Sequence, residues 1–246
     1  MKRKNKVEVV IRIGLFIFIV ALIIYGIKSG ALQFIKENPS EVAYLTGQHL
    51  KLVAVSSLAA IVVAVPLGVF ITRPQFRKFE FLVVNFANIG QTVPSIAILA
   101  LVMSYLGLGW QTAVFALWFS SLLPILRNTI AGIHSVHPAI IDAGKGMGMT
   151  QSLILWKLEL PNASYAILAG IRTAIVINVG TAALAFLIGG GGLGDLIFTG
   201  ISLYDPGIML AGAIPVITLA VTIDFLLGML EKLVIPKGLQ RKEEFI

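Results

Sequence analysis

The chain has no cysteine, which excludes disulfides, a thiol nucleophile and thiolate metal ligation, and leaves the redox compartment open. Charge is scarce as well. Only 13% of the 246 residues are Asp, Glu, Lys or Arg, against roughly 25% in a soluble domain, so no soluble domain of any size is left over. Histidine is limited to three residues. His134 and His137 could share a helix face, but Pro138 follows them and no third ligand is evident, so no metal site is expected. His49, at the outer end of an apolar run, reads as an interfacial residue.

Apolar length is present in excess. The chain is 57% hydrophobic, with a mean hydropathy of +0.94, and it contains six stretches near the roughly 20 apolar residues that a membrane-spanning helix needs. They are residues 9–27, 52–72, 81–106, 112–133, 164–188 and 208–234. All six are expected to be helical, because lipid cannot satisfy a strand edge. The fold class is therefore an all-α, polytopic membrane protein. Residues 1–50 supply a first span and a short external segment, 51–235 the transmembrane domain, and 236–246 a tail. The first span also fits a cleavable signal peptide: a basic start, an apolar core and the small residues Ser29-Gly30-Ala31. Both readings stand at this point.

The net charge of +7 would suggest nucleic acid in a soluble chain. Here the cations fall between apolar runs, as in cytoplasmic loops beside anionic lipid, and no nucleic-acid partner is expected. Placing both termini in the cytoplasm leaves Lys28, Lys36 and Lys51 outside. The same choice puts residues 138–161 inside.

That insert is the most informative segment. Pro138 suits a first helical turn, Gly146 and Gly148 break the helix, and Thr150 can cap a second short helix reaching Leu158. Ala143, Gly144, Gly146 and Gly148 would let another protein approach the backbone, and Met147 and Met149 offer adaptable apolar contacts. An ordinary interfacial amphipathic helix is the plainer alternative. From Asp142-Ala143-Gly144 through Gly148 to Leu160-Pro161, the spacing resembles the EAA loop of ABC-importer permeases. Asp142 stands where Glu is usual, and Gly144 replaces the second Ala. The resemblance implies a coupling helix seated in a groove of a separate ATPase, with Asp142, Ala143, Gly144, Gly146, Met147 and Gly148 as docking residues.

Further segments narrow the resemblance. Gly90-Gln91-Thr92-Val93-Pro94-Ser95, Leu123-Pro124-Ile125-Leu126-Arg127-Asn128-Thr129, Gly170-Ile171-Arg172-Thr173-Ala174, Gly189 through Asp195 and Ala211-Gly212-Ala213-Ile214-Pro215 occur in order. Together they look like the permeases of glycine betaine, carnitine and choline importers. That likeness implies a type I permease core of five helices in the bacterial cytoplasmic membrane. It also implies a second permease copy or paralogue, ABC ATPase subunits and an extracytoplasmic substrate-binding protein. ATP would be bound by the partner, so no cofactor and no catalysis are expected on this chain. The runner-up classes are a secondary transporter, which needs its own ion site and usually a repeat, and a channel, whose only filter candidate is the glycine run.

Within the spans, Asn85, Asn88, Thr92 and Ser95 recur at helical spacing as one polar stripe, and Asn178 and Thr181 share a face of the fifth span. Each set either lines a path or joins helices. Arg172 and Asp224 lie at similar depth, about 12 Å from the inner ends of their spans. They are expected to pair, since an unpaired intramembrane charge costs several kcal/mol; snorkelling is the alternative. Trp110, Trp118, Tyr105 and Phe115 could form an aromatic box for a quaternary ammonium, but anchoring at the interface or packing between helices is favoured. Gly194-Asp195 with Tyr204-Asp205 superficially suggests an aspartyl protease. The order is reversed and both lie in the outer connection, so that reading is rejected.

Overall fold

A computed structural model describes Gly26 and residues 28–234. The first expected span, 9–27, and the tail 236–246 therefore lie outside the described residues, apart from Gly26. All regular structure among the described residues is helical. Among the described residues four helices are long and apolar enough to cross a membrane, and five spans result if one bent pair counts as a single crossing.

Helix α1 (Ala31–Glu37) follows Gly30, whose φ of 85° suits a residue without Cβ. Pro39 in the first turn then opens α2 (Pro39–Ile71), a helix of 33 residues. The second span thus starts well before residue 52. Hydropathy marks where apolar side chains begin, whereas the helix itself continues through Glu41, Thr46 and Gln48. A short turn, Arg77–Phe79, leads to α3 (Glu80–Thr92) and α4 (Ser95–Leu106).

These two helices replace the single helical span expected over 81–106, in which Pro94 could have placed a kink, for they meet at 103°. Pro94 has no amide hydrogen and disfavours helix at the residue before it. Val93 is accordingly extended, at φ −77° and ψ 131°, and Pro94 stays out of the helical region at ψ 133°. A kink compatible with one continuous helix is thereby excluded.

Helix α5 (Trp110–His134) lies between α2 and the long α7 (Gln151–Ile188), and these three form the packed centre. Helices α3 and α4 pack on α5, with α6 (Pro138–Gly146) beyond its end. Helix α8 (Gly194–Ser202) lies against α9 (Pro206–Val234), which also touches α1 and α7. Leu122, Ile125, Leu126, Ala60, Ala64 and Ala174 fill one part of the core. Small residues set the approach of α5 to α7. A Cβ on Gly132 would lie 2.9 Å from the Ala166 Cβ, and one on Gly170 would lie 2.5 Å from the Asn128 Cβ. Between membrane helices such close approach supplies the dispersion contacts that water expulsion cannot. Hydroxyls in this interior are satisfied by the preceding turn: Ser120, Ser121 and Thr129 donate to Ala116 O, Leu117 O and Ile125 O.

Helix α7 is not uniform. Leu155–Glu159 forms a wider π-type turn and Ala182–Ile188 a tight 3-10 end. Pro161 lies in the first turn after the wide segment and lacks the amide that would continue the inner ladder. The separate second short helix expected up to Leu158 is therefore merged into the beginning of α7.

Candidate functional site

The projection formed by α6 and the start of α7 is built from local capping. The His137 ring nitrogen Nδ1 accepts from Ala139 N at 3.2 Å, Pro138 occupies the first turn, and Thr150 Oγ1 accepts from Leu153 N at 3.3 Å. Gly148, at φ 77°, reverses the chain between the two helices. Asp142, Ala143, Lys145, Gly146, Met147 and Gly148 are exposed, and Lys145 Nζ lies 3.2 Å from Asp142 Oδ1. Gly144 departs from the expected docking surface because it is buried. A Cβ there would lie 2.7 Å from Leu158 Cδ1 and 3.4 Å from the Met149 sulfur, so this glycine lets α6 settle on α7. The sequence reading missed Trp156. It is 68% exposed on the same projection as Met147, which is 72% exposed. An indole beside Lys157, in the amphipathic run before Leu160-Pro161, was the available signal.

The bend at Val93-Pro94 divides the expected polar stripe. Asn85 Nδ2 donates to Phe81 O at 2.7 Å and Thr92 Oγ1 to Asn88 O at 3.0 Å, both within α3. Ser95 lies beyond the bend, in a narrow crevice with Ser120 and Thr181. Asn178 and Thr181 also part company. Asn178 is fully buried and its Nδ2 donates to Ser56 Oγ at 3.1 Å and Ser57 Oγ at 3.0 Å, joining α7 to α2. Thr181 Oγ1 instead donates to Ile177 O at 2.9 Å in its own helix.

His49 is corrected from an interfacial residue to a core one. It is fully buried, and its Nε2 donates to Val179 O at 2.8 Å. Beside it, Gln48 Oε1 accepts from Gly192 N at 3.1 Å, so two consecutive α2 side chains hold the glycine run and α7 respectively. Asp195 and Asp205 serve separate local roles: Asp195 Oδ1 accepts from Thr199 Oγ1, and Asp205 Oδ1 from Gly207 N at 2.7 Å at the start of α9.

Arg172 and Asp224 meet in a two-pronged pair. Nε donates to Oδ1 at 2.6 Å and Nη2 to Oδ2 at 2.7 Å, the fork geometry that suits guanidinium and carboxylate. Glu231 joins at 3.5 Å from Nη1. Gly228 lies under the guanidinium, where a Cβ would come within 2.9 Å of Nη1. Asp224, Gly228 and Glu231 thus occupy one α9 face at spacings of four and three residues. Glu231, beside Lys232 near the end of the last apolar run, is not singled out by the sequence.

Tyr105 stands apart from the other three aromatics, for Trp110, Phe115 and Trp118 line one cavity. Phe115 and Trp118 have ring centroids 5.2 Å apart, Tyr105 is 89% exposed, and Lys51 Nζ lies 5.6 Å from the Trp110 ring. A cation already over Trp110 disfavours a second one there. The two histidines have separate partners, since His134 Nε2 lies 3.9 Å from Glu80 Oε2 while His137 caps α6.

A bundle of spanning helices that carries a small helical projection at one end is the build of a transporter's membrane subunit. The chain belongs to the family described as binding-protein-dependent transport system inner membrane component, which matches residues 64–236. It is 46% identical over 213 residues to the glycine betaine/carnitine/choline transport system permease protein OpuCB of Bacillus subtilis, covering 87% of this chain and 97% of that protein. It is 43% identical over 212 residues to the osmoprotectant import permease protein OsmY of Salmonella typhimurium, covering 86% and 89%. Among solved structures, the MetNI methionine ABC transporter matches with a TM-score of 0.71 at 23% identity, over 80% of this chain and 98% of that one. An amino acid ABC transporter matches with a TM-score of 0.70 at 17% identity, over 83% and 98%. These structures share the fold of an ABC-transporter permease.

Proposed function

We propose that this chain is the permease subunit of an ATP-driven importer of quaternary-amine osmoprotectants, with glycine betaine, carnitine and choline as the substrate class. The names of relatives more than 40% identical over most of the chain support that class. The projection carries the mechanical part of the reading. Asp142, Ala143, Lys145, Gly146 and Met147 lie exposed on a short helix whose inner side is sealed by Gly144. Such a knob fits a groove in a separate ATPase, with Met147 and Trp156 as adaptable and aromatic apolar contacts.

In this reading the projection and both termini face the cytoplasm of a bacterial cell, and ATP binds to the partner. A second permease, identical or paralogous, completes the path, and an extracytoplasmic binding protein delivers the solute. A trimethylammonium group cannot donate a hydrogen bond and is held by aromatic faces. With Trp110 engaged by Lys51, that selection belongs on the binding protein.

The test is ATP-dependent uptake of labelled choline, carnitine and glycine betaine by the permease reconstituted with its ATPase and binding protein. Ala143→Trp adds bulk to an exposed position, so it should block ATPase co-purification and uptake while the helical content and thermal midpoint stay unchanged. Undiminished uptake by that variant would overturn the docking role. Uptake without ATP would overturn the class.

A further inference from the structure

The end of α2 is tied to the irregular turn of α7 by a contact between residues outside the expected docking set. Arg73 Nη1 lies 2.7 Å from Glu159 Oε2, with both side chains largely shielded, at 22% and 14% exposure. Arg73 is itself held to its own helix end, its Nε donating to Val69 O at 3.3 Å and its Nη2 to Thr72 Oγ1 at 3.1 Å. The guanidinium is thus anchored on α2 and meets the Glu159 carboxylate of α7 as a charge contact, without a directed N–H···O bond.

Glu159 is the last residue of the π-type turn Leu155–Glu159. Around it the regular ladder is interrupted. The amide of Leu160 reaches back to Leu155 O, and the Asn162 side chain donates to Leu158 O at 2.7 Å. Pro161 has no amide to offer. A helix bends where its ladder is interrupted and side chains substitute for missing bonds. Residues 151–154 precede this turn, and α6 packs through Gly144 against Leu158 within the turn and Ile154 just before it. After the turn α7 continues through the membrane. An ion pair at a pivot fixes the angle between two segments far more than it adds stability, because a shielded pair's attraction is largely offset by desolvation.

We infer that Arg73 and Glu159 are positioning residues that pass displacement of the α6 projection to α2, so that a push on the projection moves the packed centre instead of bending α7 at its irregular turn. The inference rests on the proposed docking of an ATPase to the projection. Arg73 touches neither solute nor nucleotide in this role; it acts through α7.

The experiment uses the complete transporter, reconstituted with its ATPase and binding protein, and compares Arg73→Glu, Glu159→Arg and the exchange R73E/E159R. Each sample is read for ATPase co-purification, ATP hydrolysis and solute imported per ATP hydrolysed. Each single reversal should lower import per ATP about five-fold or more, the scale at which positions between two sites modulate coupling. ATPase co-purification should be unchanged, and the exchange should recover most of the loss. Glu159→Gln, which keeps shape and removes charge, should show an intermediate loss if a reversal fails to assemble. Import per ATP equal to wild type in Glu159→Gln and in any reversal that assembles, or an assembled exchange variant no better than the singles, would overturn the inference. An ATPase that fails to co-purify even with the wild-type chain overturns the docking reading instead.

Discussion

Single residues decide whether the projection is a surface or a spacer. Gly144 belongs to the resemblance that marks the loop, yet its missing side chain serves the contact of α6 with Leu158 and Ile154. Gly144→Leu should therefore overpack the projection and destabilise it by about 1–3 kcal/mol. Faster limited proteolysis within residues 138–161 checks this. Ala143→Leu, on the exposed side, should leave the proteolysis rate unchanged. Charges obey a similar logic within α7 and α9. Asp224→Leu leaves Arg172 with only the longer Glu231 contact, so the thermal midpoint in detergent should fall. Adding Arg172→Met should raise it again, because two apolar partners replace an uncompensated cation. The Asp224, Gly228 and Glu231 spacing was present in the sequence. What lay beyond sequence reasoning was the rotation of α9 that turns this face to Arg172 instead of to lipid.

Among the elements, the seam between α2 and α7 depends on polar groups placed where nothing else can satisfy them. Asn178 bridges Ser56 and Ser57, and His49 takes the Val179 carbonyl close to where α7 tightens into its 3-10 end. Asn178→Leu should cost about 1 kcal/mol, in line with interhelical hydrogen bonds in membranes, and should lower the thermal midpoint in detergent. Gly132→Leu should have the larger effect, since its first added atom would already crowd Ala163 and Ala166. Helix boundaries were legible only where a breaker coincides with a change of polarity. Pro138 marks α6 well. Pro39 starts α2 far from the apolar edge, and Pro94 cuts an apolar run that hydropathy treats as continuous.

For the whole molecule, the projection and the connection over residues 189–205 lie at opposite ends of α7. The absence of native cysteine makes this testable. Single cysteines replacing Ala143 and Tyr204, both exposed, should react with an impermeant thiol reagent from opposite sides of a sealed vesicle, with Tyr204→Cys on the solute-delivery side. Labelling of both from one side would refute the arrangement. Helices α2, α5 and α7 form the packed centre, while α9 carries exposed Ile217, Val221, Phe225 and Leu230. Those side chains suit lipid or a second permease, consistent with a subunit that works within an assembly.

Composition and segment length by themselves determined an all-helical membrane protein, because a chain this apolar and this poor in charge has no other way to satisfy its backbone. The spaced Asp142-to-Pro161 signature likewise marked the projection, since its turns and caps are made within a few residues. Tertiary structure alone decided the direction each small or polar residue faces: Gly144 inward, Asn178 and His49 into the α2 seam, Glu159 onto Arg73. Those outcomes depend on how helices rotate and approach one another. In a medium that gives little reward for burying one apolar face over another, close packing and paired polar groups set that rotation, and both require the neighbouring helix to be in place.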